Sequence, residues 1–213
     1  MNSKPFFLLF LYASLNLLYG QTSLEAKKLL EGASKQMESY SNITFDFSYV
    51  LNNRTEQINQ ESSGQVMVSQ EKYRLNFLDA IHLFDGSKLY TIVPENEEIT
   101  VTQVDEEEDF GINPKALLQF YKEGYDYQWD INQKIKGKTI QFVKLIPTEE
   151  EVDLKSLLVG IDIKKNHIYK LIEVGKNGTI TTLTIDKIEV NTPIPEQFFV
   201  FNEEDYPDYY INN

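Results

Sequence analysis

Short segments that alternate apolar and polar side chains recur through residues 43–201 of this chain, and most of them end in turn residues. The first, "ITFDFSYVL", places apolar side chains on one face at Ile43, Phe45, Phe47, Tyr49 and Leu51. A period of two predicts a β-strand with one buried face. Asp85-Gly86, Pro94 and Asn177-Gly178 separate later segments, and such residues favour tight hairpin turns. The pattern therefore predicts a long antiparallel meander.

Two segments show a helical period instead. Thr22 and Glu25 form a capping-box pattern, and an apolar stripe with steps of three and four follows: Ala26, Leu29, Leu30, Ala33, Met37 and Tyr40. Asn113-Pro114 and Gly124 bound a second predicted helix with the stripe Leu117, Leu118 and Tyr121. A meander of about eleven strands must close or cover its edges. We predict a mainly β fold with α-helices: an unclosed, half antiparallel β-barrel whose concave side is covered by the helices.

The first twenty residues, "MNSKPFFLLFLYASLNLLYG", predict a secretory signal, because Lys4 precedes an apolar run that ends at Tyr19-Gly20 with one small residue at the cleavage point. Cleavage near Gly20-Gln21 would leave residues 21–213 as a single exported domain. The chain has no cysteine, so packing must replace disulfides. The net charge of −13 and the lack of a basic stripe argue against nucleic-acid binding.

Catalytic and metal-binding patterns are weak in this sequence. The two histidines, His82 and His167, lie in short apolar stretches, and no nucleophile-elbow pattern accompanies them. Acidic runs at 105–109 and 149–153 lack the spacing and the turn glycine of a calcium loop. We therefore predict no enzyme activity, no metal and no cofactor.

Aromatic side chains are the main remaining feature: the chain has 13 Phe and 13 Tyr. They recur on many predicted strands at matching parity, so they could form an ordinary filled core or line an apolar cavity. Parity assigns to that cavity Phe45, Phe47, Tyr49, Val66, Val68, Tyr73, Leu75, Phe77, Leu89, Tyr90 and Ile92. The covering helices would contribute Leu29, Leu30, Ala33, Met37, Leu117, Leu118 and Tyr121.

An ordered set of motifs resembles the outer-membrane lipoprotein carrier family, called LolA. These are the helix and strand "AKKLLEGASKQMESYSNITFDFSY", then "GQVMV", "KYRLNF", "FDGSKLYTIVPENEEITV", "PKALL" and "IPEQFFVFNEEDYP". Two positions depart from the family pattern. The family often carries an Arg-Pro before the "KYRLNF" strand, and in some members that arginine helps to latch the helical lid. This chain has "SQEKY" there, with Gln70 at the nearest position, and Tyr90 replaces the family's usual Trp.

The resemblance implies a periplasmic chaperone that binds the acyl chains of lipoproteins and carries them from the inner to the outer membrane. It implies acylated lipoproteins as cargo, an inner-membrane export complex, an outer-membrane acceptor and a monomeric carrier. Three other functions remain open from the residues: a lipid- or lipoprotein-sensing module of the same fold, an enzyme acting on lipid or glycan, and a structural domain with a filled core.

Overall fold

The computed structural model describes residues 23–103, 123–149 and 151–212. The predicted signal segment, the acidic run at 105–109 and the second predicted helix with Leu117, Leu118 and Tyr121 lie outside these ranges. The described residues contain one α-helix, α1, at 23–38, followed by twelve β-strands. They are β1 Asn42–Asn53, β2 Ile58–Ser69, β3 Lys72–Phe77, β4 Ala80–Phe84, β5 Lys88–Val93, β6 Glu98–Gln103, β7 Tyr125–Ile135, β8 Lys138–Pro147, β9 Leu154–Asp162, β10 His167–Gly175, β11 Ile180–Val190 and β12 Tyr210–Asn212.

All twelve strands belong to one sheet in the order β12-β6-β5-β4-β3-β2-β1-β11-β10-β9-β8-β7. Neighbouring strands run antiparallel except for β12, which is parallel to β6. The two outermost strands, β12 and β7, do not pair with each other, so the barrel is unclosed. This confirms the predicted fold class.

Turn residues act as the sequence predicts. The Asp85 carboxylate accepts hydrogen bonds from the backbone N–H groups of Ser87 and Lys88, both at 2.8 Å, and Gly86 has φ 102°. The Asn177 side chain accepts from the Thr179 N–H at 3.0 Å, beside Gly178 at φ 84°. These side chains replace backbone partners in the turns and set the register of the strands around them.

One end of the chain differs from the sequence expectation. The pattern predicts a strand for the last apolar segment, but Glu196–Phe199 form a 3₁₀ turn that contacts β3, and the final strand is Tyr210–Asn212. Pro195 immediately precedes the turn, and proline fixes φ and lacks the N–H that a strand needs. The segment therefore crosses the sheet before it pairs with β6.

The two faces of the sheet carry separate apolar clusters. On the concave face, Ala26, Leu30, Ala33 and Met37 of α1 join buried side chains from both halves of the sheet. Leu89 on β5 and Val143 on β8 belong to this same cluster. These strands are eight positions apart and would be roughly 38 Å apart in a flat sheet, whereas a helix is about 10 Å wide. The curl of the sheet brings both halves under one helix.

Candidate apolar binding site

Most residues that parity assigns to the cavity lie on the concave face and in its apolar cluster. Seven are buried: Phe45, Phe47, Val66, Tyr73, Leu75, Phe77 and Leu89. Tyr49 and Val68 are partly buried and pack against them. Their strands pair directly, so Phe45, Val66 and Leu75 form one row across the sheet. The predicted set is thus brought together over β1–β3 and β5.

Tyr90 and Ile92 lie on the opposite, convex face. Successive side chains in a strand alternate between faces, so Leu89 and Tyr90 cannot share one. Register places Tyr90 opposite Leu83 and Ile92 opposite Ile99, and neither belongs to the concave cluster. The Tyr90 ring instead stacks on Phe201, with 4.3 Å between ring centroids. We therefore leave both residues out of the candidate site.

Helix α1 supplies the cover of this face. The predicted lid residues Leu30, Ala33 and Met37 are buried against the sheet, and Leu29 packs beside them. Lys27 lies over the ring of Tyr127 on β7, with its Nζ 5.8 Å from the ring centroid. Two of the buried helix residues are alanines, which bury little apolar surface each.

Aromatic rings line the middle of the concave face. Phe47 is 5.3 Å from Phe77 and 6.2 Å from Phe45, measured between ring centroids, and Tyr49 meets Phe77 at 5.2 Å. Gly64 lies directly opposite Phe47 on β2, where a Cβ atom would collide with the ring. The glycine therefore makes room for the central phenylalanine.

Sequence reasoning missed the second half of this face. Seven buried residues on β8–β11 complete the cluster: Val143, Leu145, Val159, Ile161, Ile168, Leu171 and Ile185. Strands β8 to β10 are apolar on both faces, with Ile140, Phe142 and Tyr169 forming a separate convex cluster. An alternating signal is therefore absent, and parity alone could not choose the inward side.

The polar groups of this face are few. His82 lies in the same row as Leu75, and its Nδ1 is 3.3 Å from the Thr91 hydroxyl. Burial lowers the pKa of His82 from its ordinary value of 6.5, so the ring is neutral at pH 7. A neutral imidazole beside a threonine is compatible with an apolar ligand.

No protein-family model matches this sequence. An outer-membrane lipoprotein carrier protein from Legionella pneumophila (strain Lens) is 21% identical over 206 residues, which cover 92% of this chain and 93% of that protein. The chain has homologues among the outer-membrane lipoprotein carrier proteins. The resemblance that the sequence motifs indicated is thereby confirmed.

Two solved structures share the fold of this chain. An uncharacterized conserved protein from Thermus thermophilus matches with a TM-score of 0.56 at 9% identity, over 88% of this chain and 98% of that one. LprF from Mycobacterium bovis matches with a TM-score of 0.52 at 12% identity, over 82% of this chain and 96% of that one. At these identities the likeness concerns the fold.

The described residues contain neither a cluster of metal ligands nor a membrane-spanning helix. Residues 23–103, 123–149 and 151–212 contain no group of three His, Asp or Glu side chains that could hold a metal ion. Helix α1 is not long and apolar enough to cross a membrane, and no other helix of the described ranges is either. The arrangement that the fold does build is a covered apolar face.

Proposed function

We propose that this protein binds the acyl chains of lipoproteins on the concave face of its sheet and carries them between membranes. The observation that carries the proposal is the concave apolar cluster under one helix, in a chain whose relatives are named lipoprotein carriers. A carrier must hide acyl chains from water and then release them, and an apolar face with a removable cover does both. No covalent step is needed.

The cover can leave at moderate cost. A helix satisfies its backbone hydrogen bonds internally, so α1 can undock without leaving backbone groups of the sheet unpaired. Leu30 and Met37 are its largest buried side chains, and exposing each costs about 1.5–3 kcal/mol. Each buried acyl methylene contributes about 0.8 kcal/mol, so about four to eight methylenes offset that cost. A full acyl chain is longer, which makes the exchange favourable.

The wider setting is part of this proposal. The chain would be exported to a periplasm by the predicted signal at residues 1–20 and act there as a monomeric domain of residues 21–213. An inner-membrane export complex would load it and an outer-membrane acceptor would unload it. The net charge of −13 favours basic docking faces on those partners and disfavours anionic membrane surfaces.

The test is a release assay with residues 21–213 and membranes that hold a radiolabelled triacylated lipoprotein and its export complex. We expect label in the soluble fraction, in a one-to-one complex with this protein. A photoreactive fatty-acyl probe should then crosslink to the concave side of β1–β3. Crosslinks confined to the convex face, or an absence of both release and probe uptake, would instead favour a structural domain with a filled core. Uptake of the probe without release would favour a sensing module.

A further inference from the structure

The C-terminal half of α1 rests on the turn between β9 and β10. Gly32 faces Asn166 in that turn, and a Cβ atom at Gly32 would lie 3.1 Å from the Asn166 side-chain nitrogen. The turn is internally braced: the Asn166 N–H donates to the Asp162 carbonyl oxygen at 2.7 Å, and the Asp162 carboxylate accepts from the Lys164 N–H at 3.0 Å. The glycine thus allows the helix to approach a rigid turn closely.

Tyr40 ties the linker that follows α1 to the next residue of that hairpin. Its hydroxyl lies 2.7 Å from Nε2 of His167, and the two rings meet edge-on at 5.6 Å. The Gln36 side-chain nitrogen donates to the Tyr40 oxygen at 2.9 Å. We assign to neutral His167 the tautomer in which Nδ1 carries the ring proton, because it lets the Tyr40 hydroxyl donate its proton to Nε2.

The surroundings of His167 favour the neutral ring. Lys165 on the turn, Lys138 on β8 and Asp162 on β9 face it. Burial and then the charge of Lys165 lower the pKa of His167, with a smaller contribution from Lys138, while Asp162 opposes them. His167 Nδ1 is buried and has no hydrogen-bond partner among the described residues. When His167 takes up a second proton, that proton goes to Nε2, which then can no longer accept a hydrogen bond from the Tyr40 hydroxyl.

We propose that the Tyr40–His167 hydrogen bond is the latch that holds α1 over the concave face, with the β9–β10 turn as its docking platform. This inference rests on the proposed function, in which α1 leaves that face to admit cargo. Tyr40 follows the C-terminal end of α1, and His167 begins β10. Their contact thus joins the end of the helix to a strand 127 positions later in the chain.

The chain has no cysteine, so a single introduced cysteine is the only thiol that a labelling reagent can modify. Leu75→Cys reports on the concave face and Leu83→Cys on the convex face, and both leucines are 1% exposed. Tyr40→Phe keeps the ring and removes the hydroxyl. Since one such hydrogen bond is worth a factor of about two to ten, Tyr40→Phe should raise the labelling rate of Leu75→Cys by about that factor. The labelling rate of Leu83→Cys should stay unchanged. An equal rise at both positions, or a rise at neither, would overturn the latch.

The pH profile separates the latch from a merely structural tyrosine. The ratio of the Leu75→Cys rate to the Leu83→Cys rate cancels the change in thiolate fraction with pH. We expect this ratio to rise as the pH falls through the pKa of His167, which burial and Lys165 lower from its ordinary value of 6.5, and to lose that rise in His167→Gln. The same slope in His167→Gln would contradict the proposal.

Labelling requires no cargo, so its outcome is independent of the acyl-binding test. A changed ratio without acyl-probe uptake would leave the latch standing and remove the carrier function. Probe uptake that is identical in the parent and Tyr40→Phe proteins, with an unchanged labelling ratio, would leave the carrier function standing and remove the latch.

Discussion

The two faces of the sheet are covered in different ways. The concave face is covered by α1, a helix whose backbone hydrogen bonds all lie within the helix. It buries Ala26, Leu30, Ala33 and Met37 against the sheet. The convex face over β3–β6 is covered by the C-terminal segment, which ends in β12 paired to β6 and stacks Phe201 on Tyr90. A cover that shares backbone hydrogen bonds with the sheet cannot leave without breaking them. From this comparison we infer that α1 is the cover that can move and that the C-terminal segment is the fixed one.

The largest effect is expected on the fixed cover. Phe199 is 3% exposed and lies in the 3₁₀ turn that contacts β3. Phe199→Ala should lower the free energy of unfolding by about 3–5 kcal/mol, because a buried ring is replaced by a cavity. Leu30→Ala on α1 is the comparison variant. It should cost less, since undocking of the helix removes the cavity.

Urea denaturation followed by circular dichroism measures both variants. A loss for Leu30→Ala that matched or exceeded that for Phe199→Ala would mean that α1 is as firmly held as the C-terminal segment. The distinction between a movable and a fixed cover would then fail.

A smaller effect is expected from two glycines that lie on opposite faces. A Cβ atom at Gly64 would collide with the Phe47 ring and lie 2.8 Å from the Asn76 carbonyl oxygen, which is backbone. At Gly160 the three nearest atoms to such a Cβ are side-chain atoms of Phe142 and Ile140, at 2.8–3.0 Å. Side chains can shift where a neighbouring strand cannot, so Gly64→Ala should cost about 1–3 kcal/mol and Gly160→Ala less.

Thermal unfolding of the two alanine variants checks this order. Phe47→Leu in the Gly64→Ala background should restore part of the stability, because it relieves the ring but not the carbonyl contact. Full restoration of the stability would show that the backbone of β3 shifts to accommodate the added Cβ. The packing on the concave face would then be less rigid than its contacts indicate.

The smallest effect concerns pH. Burial is the largest cause of the lowered pKa of both His82 and His167, so the folded state binds protons less readily than the unfolded state. Their contribution to stability is complete above the unfolded pKa of about 6.5 and decreases as the pH falls below it. His82→Gln and His167→Gln should each flatten the dependence of unfolding free energy between pH 7 and pH 5. If the pH dependence of the unfolding free energy were unchanged in both variants, groups other than these two histidines would be its cause.

The local sequence determined the elements of this protein. The stripe from Ala26 to Met37 has a period that only a helix presents as one face, and the turn residues Asp85-Gly86 and Asn177-Gly178 divide a chain that alternates at period two. These signals need only near neighbours, and so the helix, the strands and the unclosed antiparallel sheet could be predicted. The same parity predicted that Phe45 and Phe47 lie on one face of β1.

Only the tertiary structure decided which face of each strand turns inward in β8–β10, because their apolar residues occupy both faces. It also placed Tyr90 and Ile92 on the convex face, where Phe201 of the C-terminal segment stacks on Tyr90. The contact of Tyr40 with His167 likewise joins residues 127 positions apart. The physical reason is common to all three. Parity is a property of one strand, whereas inward and outward are set by the curl of the whole sheet and by what covers each face.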